Sequence, residues 1–503
     1  MERYLLGIDL GTSACKAAVF DREGNVIAAS SQEYPVHYPG PGWAEQDPDD
    51  WWRGVCAALR KIWDSGKVQP NQIAGIGVDG QSWSAVPVDV DGKCLCPTPI
   101  WMDFRAQEIC DRLNEKIGAD RILDLAGNAM LPSYTTPKVL WYKENRPEVY
   151  ERTERILQCN GYLVYRLTGS VTQDICQGYG WHCFNMRNGT WDFDMAREMG
   201  IPEYMLPEIY ACDAVVGGVT PEAAGQTGLT QGTPVVAGGL DAACGTLAAG
   251  VLHEGETQEQ GGQAGGMSIC LEEYKTDPRL IMSFHVIPDR WLLQGGTVGG
   301  GSVMRWFEEE FGDYERSRAA EAGRSSLDQL NDLARQIAPG CDGLTFLPYL
   351  SGERTPIWDP DAKGVFYGLS FAKTKGHMVR ACMEGVAYAL RHNLETAKQA
   401  GAEAKVLRAV GGSSNSLLWT QIKADVTGCP VIVPSSDTAT TLGAALLAGV
   451  GCGIYRDYEE AVALTVKQTR FHEPDPSVKA VYDKGYEAYR GLYEALKDFM
   501  KKY

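Results

Sequence analysis

Nothing in this sequence has the makings of a metal knot, a disulfide frame or a membrane anchor. Its 15 cysteines are odd in number and scattered, with no Cys-x-x-Cys pair. That pattern suits reduced thiols in a cytosolic protein rather than a disulfide scaffold. Cys94 and Cys96 are the closest pair and read as the flanks of a turn. The 7 histidines fall at no ligand-like spacing, so no zinc site is expected. Basic residues are outnumbered: 47 Lys and Arg face 65 Asp and Glu, for a formal net charge of -18. Such a surface argues against nucleic acid, whose phosphate backbone needs Lys and Arg. It leaves open a small phosphorylated ligand held by backbone N–H groups and a metal ion. Before Asp9 only Leu5–Ile8 is apolar, short of the roughly 7–15 residues of a secretory core, so no export signal is expected. The segment 438–455 carries no charge, but it is rich in Thr, Gly and Ala rather than Leu, Ile and Phe. It predicts a small-residue helix in a soluble core, capped by Asp437 or Thr438, and not a membrane span.

What is present is an ordinary globular composition, 44% apolar and 22% charged, in a chain of 503 residues that can fill more than one core. The chain opens with an apolar strand, Leu5-Leu6-Gly7-Ile8, that runs into Asp9-Leu10-Gly11-Thr12-Ser13. Two further strands are expected at Ala14–Phe20 and 26–34, joined by a turn in which Gly24 and Asn25 supply positive φ. Gly11 lets backbone approach an anion, and Thr12 and Ser13 add hydroxyls to a phosphate cradle. Asp9, at the strand end, is placed to hold magnesium through water. The same residues would also make a plain hairpin with a surface Asp.

An echo follows half a chain later. Gly255–Gln260 leads into Gly261-Gly262-Gln263-Ala264-Gly265-Gly266 and then the apolar Met267–Leu271, again strand, glycine turn, strand. Helices are expected at Pro48–Ile62 behind an Asp47 cap, at 374–399, at Leu417–Thr427 and at 478–499, the last as an outer amphipathic helix. Strands are expected at 73–78, 86–89, 234–237, 405–410 and Val431–Pro434. The whole argues an α/β class. No low-complexity linker separates the halves, and the boundary is placed near Gly250, giving domains 1–249 and 250–503.

Joined together, these motifs carry a resemblance. Asp9-Leu10-Gly11-Thr12-Ser13 resembles the first phosphate loop of the actin and hexokinase superfamily. Ser133-Tyr134-Thr135-Thr136-Pro137-Lys138-Val139-Leu140-Trp141 is similar to the first signature of the FGGY carbohydrate kinases. Gly364-Val365-Phe366-Tyr367-Gly368-Leu369 with His377–Gly385 is similar to their second, and Gly238-Gly239-Leu240-Asp241 resembles their catalytic-Asp turn. Within that family, Trp101-Met102-Asp103-Phe104-Arg105-Ala106 looks most like the xylulose kinases.

The resemblance implies two ribonuclease-H-like (actin-like ATPase) domains facing a central cleft, with ATP and Mg²⁺ as cofactors and a sugar, most readily a pentulose, as substrate. It implies Asp241 as general base, although Asp opening a helix is also a good N-cap. Asp9 and Asp241 would form the metal side. Gly11, Thr12 and Ser13 would cradle phosphate from one domain, and Gly262, Gln263 and Gly265 from the other. Gly300 and Gly301, with Gly411, Gly412, Ser413 and Asn415, would flank the nucleotide, the latter at a helix N-terminus. The sugar pocket would be built from Gln81, Ser82, Trp83, Trp101, Asp103 and Arg105. Two departures stand out. The second loop usually reads Gly-Thr-Ser-Gly, and here Gln263 and Ala264 replace both hydroxyls. In xylulose kinases the first sugar motif typically reads Gly-Gln-Met-His-Gly, and here Ser82-Trp83-Ser84 replaces its last three residues. No nucleic-acid or membrane partner is expected; a cytoplasmic place and a homodimer are compatible with the resemblance. The rival from another class is a nucleotide-dependent actin-like switch protein, which shares only the Asp-x-Gly-Thr turn.

Overall fold

The computed structural model describes residues 3–435 and 439–503. Two seven-stranded sheets organise it, and their strands are numbered here in chain order. The first contains β1 (Tyr4–Leu10), β2 (Ala14–Phe20), β3 (Val26–Glu33), β4 (Ile73–Gly80), β5 (Val215–Gly218), β6 (Pro234–Val236) and β7 (Gly239–Leu240). The second contains β8 (Glu256–Gly261), β9 (Gly265–Leu271), β10 (Ile281–Phe284), β11 (Trp291–Thr297), β12 (Val406–Val410), β13 (Val431–Pro434) and β14 (Gln468–His472).

The two sheets repeat one plan. In the first, the antiparallel run β3-β2-β1 continues through the parallel strands β4 and β6. In the second, the antiparallel run β11-β9-β8 continues through the parallel strands β12 and β13. This is the actin-like duplication. β1 is buried along its whole length, as its unbroken apolar spelling requires of a central strand covered on both faces. Gly24 adopts φ 79° at the β2–β3 turn, whereas Asn25, also expected to supply positive φ, does not; one glycine is enough to close the turn.

Helices are labelled as they matter to the site: α1 (Pro48–Asp64), α2 (Thr135–Asn145), α3 (Asp241–Ala248), α4 (Lys375–Gln399), α5 (Leu417–Thr427), α6 (Ala439–Gly451) and α7 (Lys479–Lys502). α1 begins behind Asp47, whose carboxylate accepts from the Asp49 N–H. α6 is the small-residue helix expected from composition; its proposed caps Asp437 and Thr438 lie outside the described residues. No described helix is long and apolar enough to cross a membrane.

α6 belongs to the second half of the chain yet packs on the first sheet. A Cβ added at Gly7 of β1 would fall 1.8 Å from the Thr441 carbonyl oxygen, and one at Gly77 of β4 would fall 1.8 Å from that of Ala444. Across α6, Gly443 meets the Cys244 carbonyl of α3 at 2.0 Å by the same measure. A boundary drawn at Gly250 therefore separates the sheets, while α6 reaches back over it.

The outer role expected for α7 is corrected. Tyr482, Tyr486, Tyr489 and Tyr493 are buried in a core with Tyr349 and Tyr388. The Tyr349 and Tyr489 hydroxyls lie 2.5 Å apart, and Tyr493 donates to Asp359 at 2.7 Å. The tyrosines recur along one helical face; the charges between them disguised an aromatic stripe.

The glycine contacts yield a test. Gly77→Ala should lower stability by about 3 kcal/mol through forced overpacking, measured as the urea midpoint. Gly225→Ala, where a Cβ meets nothing within 4 Å, is the control and should be neutral or slightly stabilising.

Candidate active site

The ends of β1, β4 and β7 bring three carboxylates together. Asp9 and Asp79 are register partners, and Gly239, two residues before Asp241, pairs with Asp79. From the other sheet, β8 ends in the 261–265 loop and β12 in the 411–415 turn. Between them lies a cavity of about 720 Å³ lined by Lys16, Asp241, Gly262, Gly411, Gly412 and Asn415, among others. A smaller cavity of about 260 Å³ lies beyond Asp241 and is lined by Thr12, Gln81, Ser82, Trp83, Trp101 and Arg354 as well as Asp241 itself. A third, of about 460 Å³, shares Gly262, Gly412 and Asn415 with the first and adds Gln263, Gly301 and Ser413.

Asp241 is the first residue of α3, whose cap position is Leu240. One carboxylate oxygen accepts from the Ala242 N–H at 2.6 Å. Burial, and then the charge of Asp9, push its pKa up to about 7. Asp9 accepts through Oδ2 from Lys16 Nζ at 3.2 Å and from the Thr440 hydroxyl at 2.9 Å, whereas its Oδ1 has no partner. Asp79 is fully buried and takes no hydrogen bond from an N–H or from the hydroxyl of a Ser, Thr or Tyr; a proton on it would bridge to Asp9. Burial, with Asp9 and Asp241 adding to it, holds its pKa well above the usual carboxylate range.

Orphaned carboxylate oxygens beside a lysine are what a divalent cation and a polyphosphate would complete. Among the described residues no group of three or more His, Cys, Asp or Glu side chains can hold a metal ion by itself. That fits magnesium, which takes one or two carboxylates and fills its octahedron with water and phosphate oxygens. Asp9 is the residue that can serve it, and Lys16 the cation that can meet a phosphate.

The walls of the small cavity are fixed from one face of α2. The Thr135 hydroxyl donates to the Ser84 carbonyl at 3.2 Å, and the Tyr142 hydroxyl to the Ala85 carbonyl at 3.2 Å. Lys138 Nζ donates to the carbonyls of Trp83 at 2.9 Å and Ile100 at 2.8 Å. Fully buried and without a carboxylate of its own, Lys138 has its pKa lowered to about 7 by burial. It joins the two loops that carry Trp83 and Trp101. Trp83 itself has φ 63°, a costly backbone for a bulky residue, and stacks on Tyr134 with ring centroids 4.2 Å apart. The first signature is thus a clamp on the pocket.

Trp101 donates its indole N–H to the Thr12 hydroxyl at 2.9 Å, and Gln81 donates to Gln46 at 2.8 Å. Ser82 accepts from the Tyr179 hydroxyl at 2.7 Å.

Asp103 and Arg105 are not brought to any of the three cavities. Asp103 accepts from the Ala44 N–H at 2.7 Å and from Arg105 Nη2 at 2.7 Å, and Arg105 also bonds Glu45 at 2.9 Å and lies 3.9 Å over the Trp43 ring. They staple the 43–46 segment to the loop after Trp101. Gly11, Ser13 and Gly300 likewise line none of the cavities. A Cβ at Gly300 would fall 2.3 Å from Ala264, and the Gly301 N–H donates to the Gly262 carbonyl at 2.6 Å, so the 299–302 turn braces the second phosphate loop. Gly265 opens on the small cavity rather than the large one.

Several residues at the site were missed in the sequence: Lys16, Asp79, Lys138, Arg354, Thr440 and the buried pair Lys423–Glu259. Lys423 Nζ bonds Glu259 at 2.6 Å and the Ser413 hydroxyl at 2.7 Å, fixing the nucleotide-side turn. Asp79 left a signal, a carboxylate closing an otherwise apolar buried strand. The others meet only through long-range folding.

Residues 4–248 match the N-terminal domain, and 272–452 the C-terminal domain, of the FGGY family of carbohydrate kinases. The chain belongs to that family. The xylulose kinase of Bacillus subtilis is 32% identical over 99% of this chain and 98% of its own. The gluconokinase of Bacillus subtilis is 29% identical over 94% of this chain and 92% of its own. The crystal structure of xylulose kinase from Rhodospirillum rubrum superposes with a TM-score of 0.88 at 30% identity, covering 99% of this chain and 100% of that one. This FGGY kinase is therefore a phosphotransferase with a sugar alcohol group as acceptor and ATP as donor, and the actin-like switch reading falls away.

The α2 clamp makes a separable prediction. Lys138→Met keeps the length of the side chain and strands the Trp83 and Ile100 carbonyls. The sugar KM should rise about 10-fold or more while the ATP KM stays within about twofold. Steady-state kinetics with each substrate varied would show it; equal changes in both constants, or none, would remove Lys138 from the pocket's support.

Proposed function

We propose that this FGGY kinase transfers the γ-phosphoryl group of ATP to a hydroxyl of a pentulose such as D-xylulose. The observation that carries the reading is that Asp241 lines both the small cavity and the large one. A hydroxyl in the small cavity and a γ-phosphate in the large one would meet at its carboxylate. The full-length similarity to xylulose kinases supports the sugar class. Another ketose, a polyol or a sugar acid is the alternative within the same chemistry, and the similarity to a gluconokinase keeps the last in view.

In this reading the triphosphate runs from the third cavity, past Gly411, Gly412 and Gly262, into the large cavity. Lys16 meets its terminal charge. Asp241 accepts the proton as the sugar oxygen attacks phosphorus in line, and ADP departs with its bridging oxygen. A magnesium ion held at Asp9 would neutralise phosphate charge. The raised pKa of Asp241 suits a base that works near neutrality. Trp83 stands where xylulose kinases carry His, and its buried indole N–H has no acceptor among the described residues. It lines the small cavity as an apolar wall backed by Tyr134, so it would meet a sugar's C–H surface where His would meet a hydroxyl. We place the enzyme in the cytoplasm, where its free thiols are stable and ATP is at hand; a homodimer would be checked by light scattering.

Three measurements test this. A coupled ADP assay over ketopentoses, pentitols and sugar acids should show sugar-dependent turnover, with Asp241→Asn lowering it by about 10²–10⁴-fold and leaving ATP binding intact. Near-normal turnover in the folded variant would eliminate Asp241 as base. Because the base must be ionised and its pKa is about 7, kcat/KM should climb about tenfold per pH unit from pH 5 and level off above neutrality; a flat profile over that range contradicts the assignment. Trp83→His should shift the ratio of turnover between D-xylulose and the other sugars, and an unmoved ranking would place Trp83 outside recognition.

A further inference from the structure

We propose that Arg354 reads a planar oxygen-acceptor end of the substrate, a ketone with its neighbouring hydroxyl or a carboxylate, and so makes the enzyme reject the corresponding pentitol. This rests on the small cavity being the sugar site.

Arg354 comes from the second half of the chain and faces the cavity whose other walls include Gln81, Trp83 and Trp101. Its guanidinium donates no hydrogen bond to and makes no ion pair with any described residue, although the residue is partly buried in the cavity wall. Glu353 does not pair with it; that carboxylate accepts through Oε1 from the Val298 and Arg354 backbone N–H groups, at 2.7 and 2.8 Å. The charge centre lies 5.6 Å from the Trp101 ring, and a Cβ at Gly296 would come to 3.3 Å from Nη1, so the guanidinium packs closely over that glycine.

The segment that carries it is rigid. Thr355 N–H donates to the Gly296 carbonyl at 3.1 Å, and Gly296 N–H donates to the Thr355 hydroxyl at 2.7 Å. The same hydroxyl donates to Asn393 at 2.7 Å. A fixed, enclosed and unpaired cation is costly unless something completes it. Burial lowers its pKa from the ordinary arginine value, yet arginine remains charged across the physiological range.

The chemistry selects the partner. A guanidinium has five donors and no acceptor, arranged as a planar fork. The amides and hydroxyls around it, Gln81, Ser82, Gln258, Gln260 and Gln294, both donate and accept and so tolerate hydroxyl groups of either orientation. Arg354 tolerates only oxygen lone pairs. A ketone or a carboxylate presents these in one plane without a competing proton. A pentitol hydroxyl must turn its proton away, and its carbon is tetrahedral. A site built to bond one group rejects the analogue lacking it more strongly than a simple apolar fit can.

The test compares D-xylulose, D-gluconate and D-arabinitol on wild type, Arg354→Met and Arg354→Lys. Binding is followed by calorimetry without nucleotide, and turnover by ADP release. The wild type should bind D-xylulose or D-gluconate about 10- to 100-fold more tightly than D-arabinitol. Whichever of the two it prefers identifies the acceptor as ketone or carboxylate. Arg354→Met should bring the preferred sugar down to the pentitol's affinity and leave the pentitol unchanged; Arg354→Lys should be intermediate. Because the removed charge has no ion pair or hydrogen bond and keeps only the Trp101 face beside it, Arg354→Met should melt close to the wild type in the absence of sugar. An equal loss for all three ligands, or no loss, overturns the proposal. So does a wild type that binds D-arabinitol as tightly as the others, an outcome that leaves sugar phosphorylation itself standing. Discrimination that depends on Arg354 without any phosphorylation of the bound sugar would instead retain Arg354 and overturn the functional reading.

Discussion

α6 lies so close to β1 and β4 that only glycine fits at Gly7 and Gly77, and this backbone contact sets the spacing of the whole cleft. β1 and β4 end at Asp9 and Asp79, and α3, which begins at Asp241, packs against the other side of α6. A helix from the far half of the chain thus locates all three carboxylates at once. Thr440, in its first turn, bonds Asp9 directly. The halves are not two beads on a string: the first sheet is covered by a helix that lies in sequence between the last two strands of the second. Interiors packed to this density do not deform smoothly, so relative motion of the two sheets must avoid this contact.

Around that frame the electrostatics are deliberately unbalanced. Three acids share a buried corner with one lysine, and Lys16 is itself half in solvent. Without a polyphosphate and a cation the corner keeps protons: Asp79 and Asp241 are both pushed upward by burial and by their neighbours. Across the small cavity the imbalance has the opposite sign, with Arg354 unpaired. Each half therefore presents an unmet charge toward the cavities, which in the proposed reading the oxygens and phosphates of the substrates would meet.

Much of this was legible. The opening Asp-x-Gly turn, its echo at 261–265 and the strand before Asp241 are local patterns, and local patterns survive translation into strands and turns. The shared strand order of the two sheets is the echo made physical. Asp103 and Arg105 were read as sugar contacts on the family resemblance of the Trp101–Ala106 motif. In the fold the chain turns between them, so they satisfy each other. The helix at 479–502 was misjudged because lysines and glutamates between its tyrosines mimic a solvent face. Arg354 and Lys138 were silent for another reason: each acquires its meaning from residues remote in sequence, and a lysine or arginine in a helix or turn is by default a solvated charge.

The polar floor of the small cavity has one further property. Trp101 donates to Thr12, Thr12 donates to Gln81 at 3.4 Å, Gln81 donates to Gln46, and Gln46 donates back to the Thr12 carbonyl at 2.8 Å. The Trp51 indole N–H also donates to Gln46 at 3.1 Å, which fixes that amide against rotation. The ring has a direction, as a sentence has word order. Replacing any one member with a group of the other polarity sets two donors or two acceptors face to face. These side chains consequently form one heritable unit: a lineage exploring new sugars can vary Trp83 or Ser82 singly, but it must change the ring as a set or leave it alone.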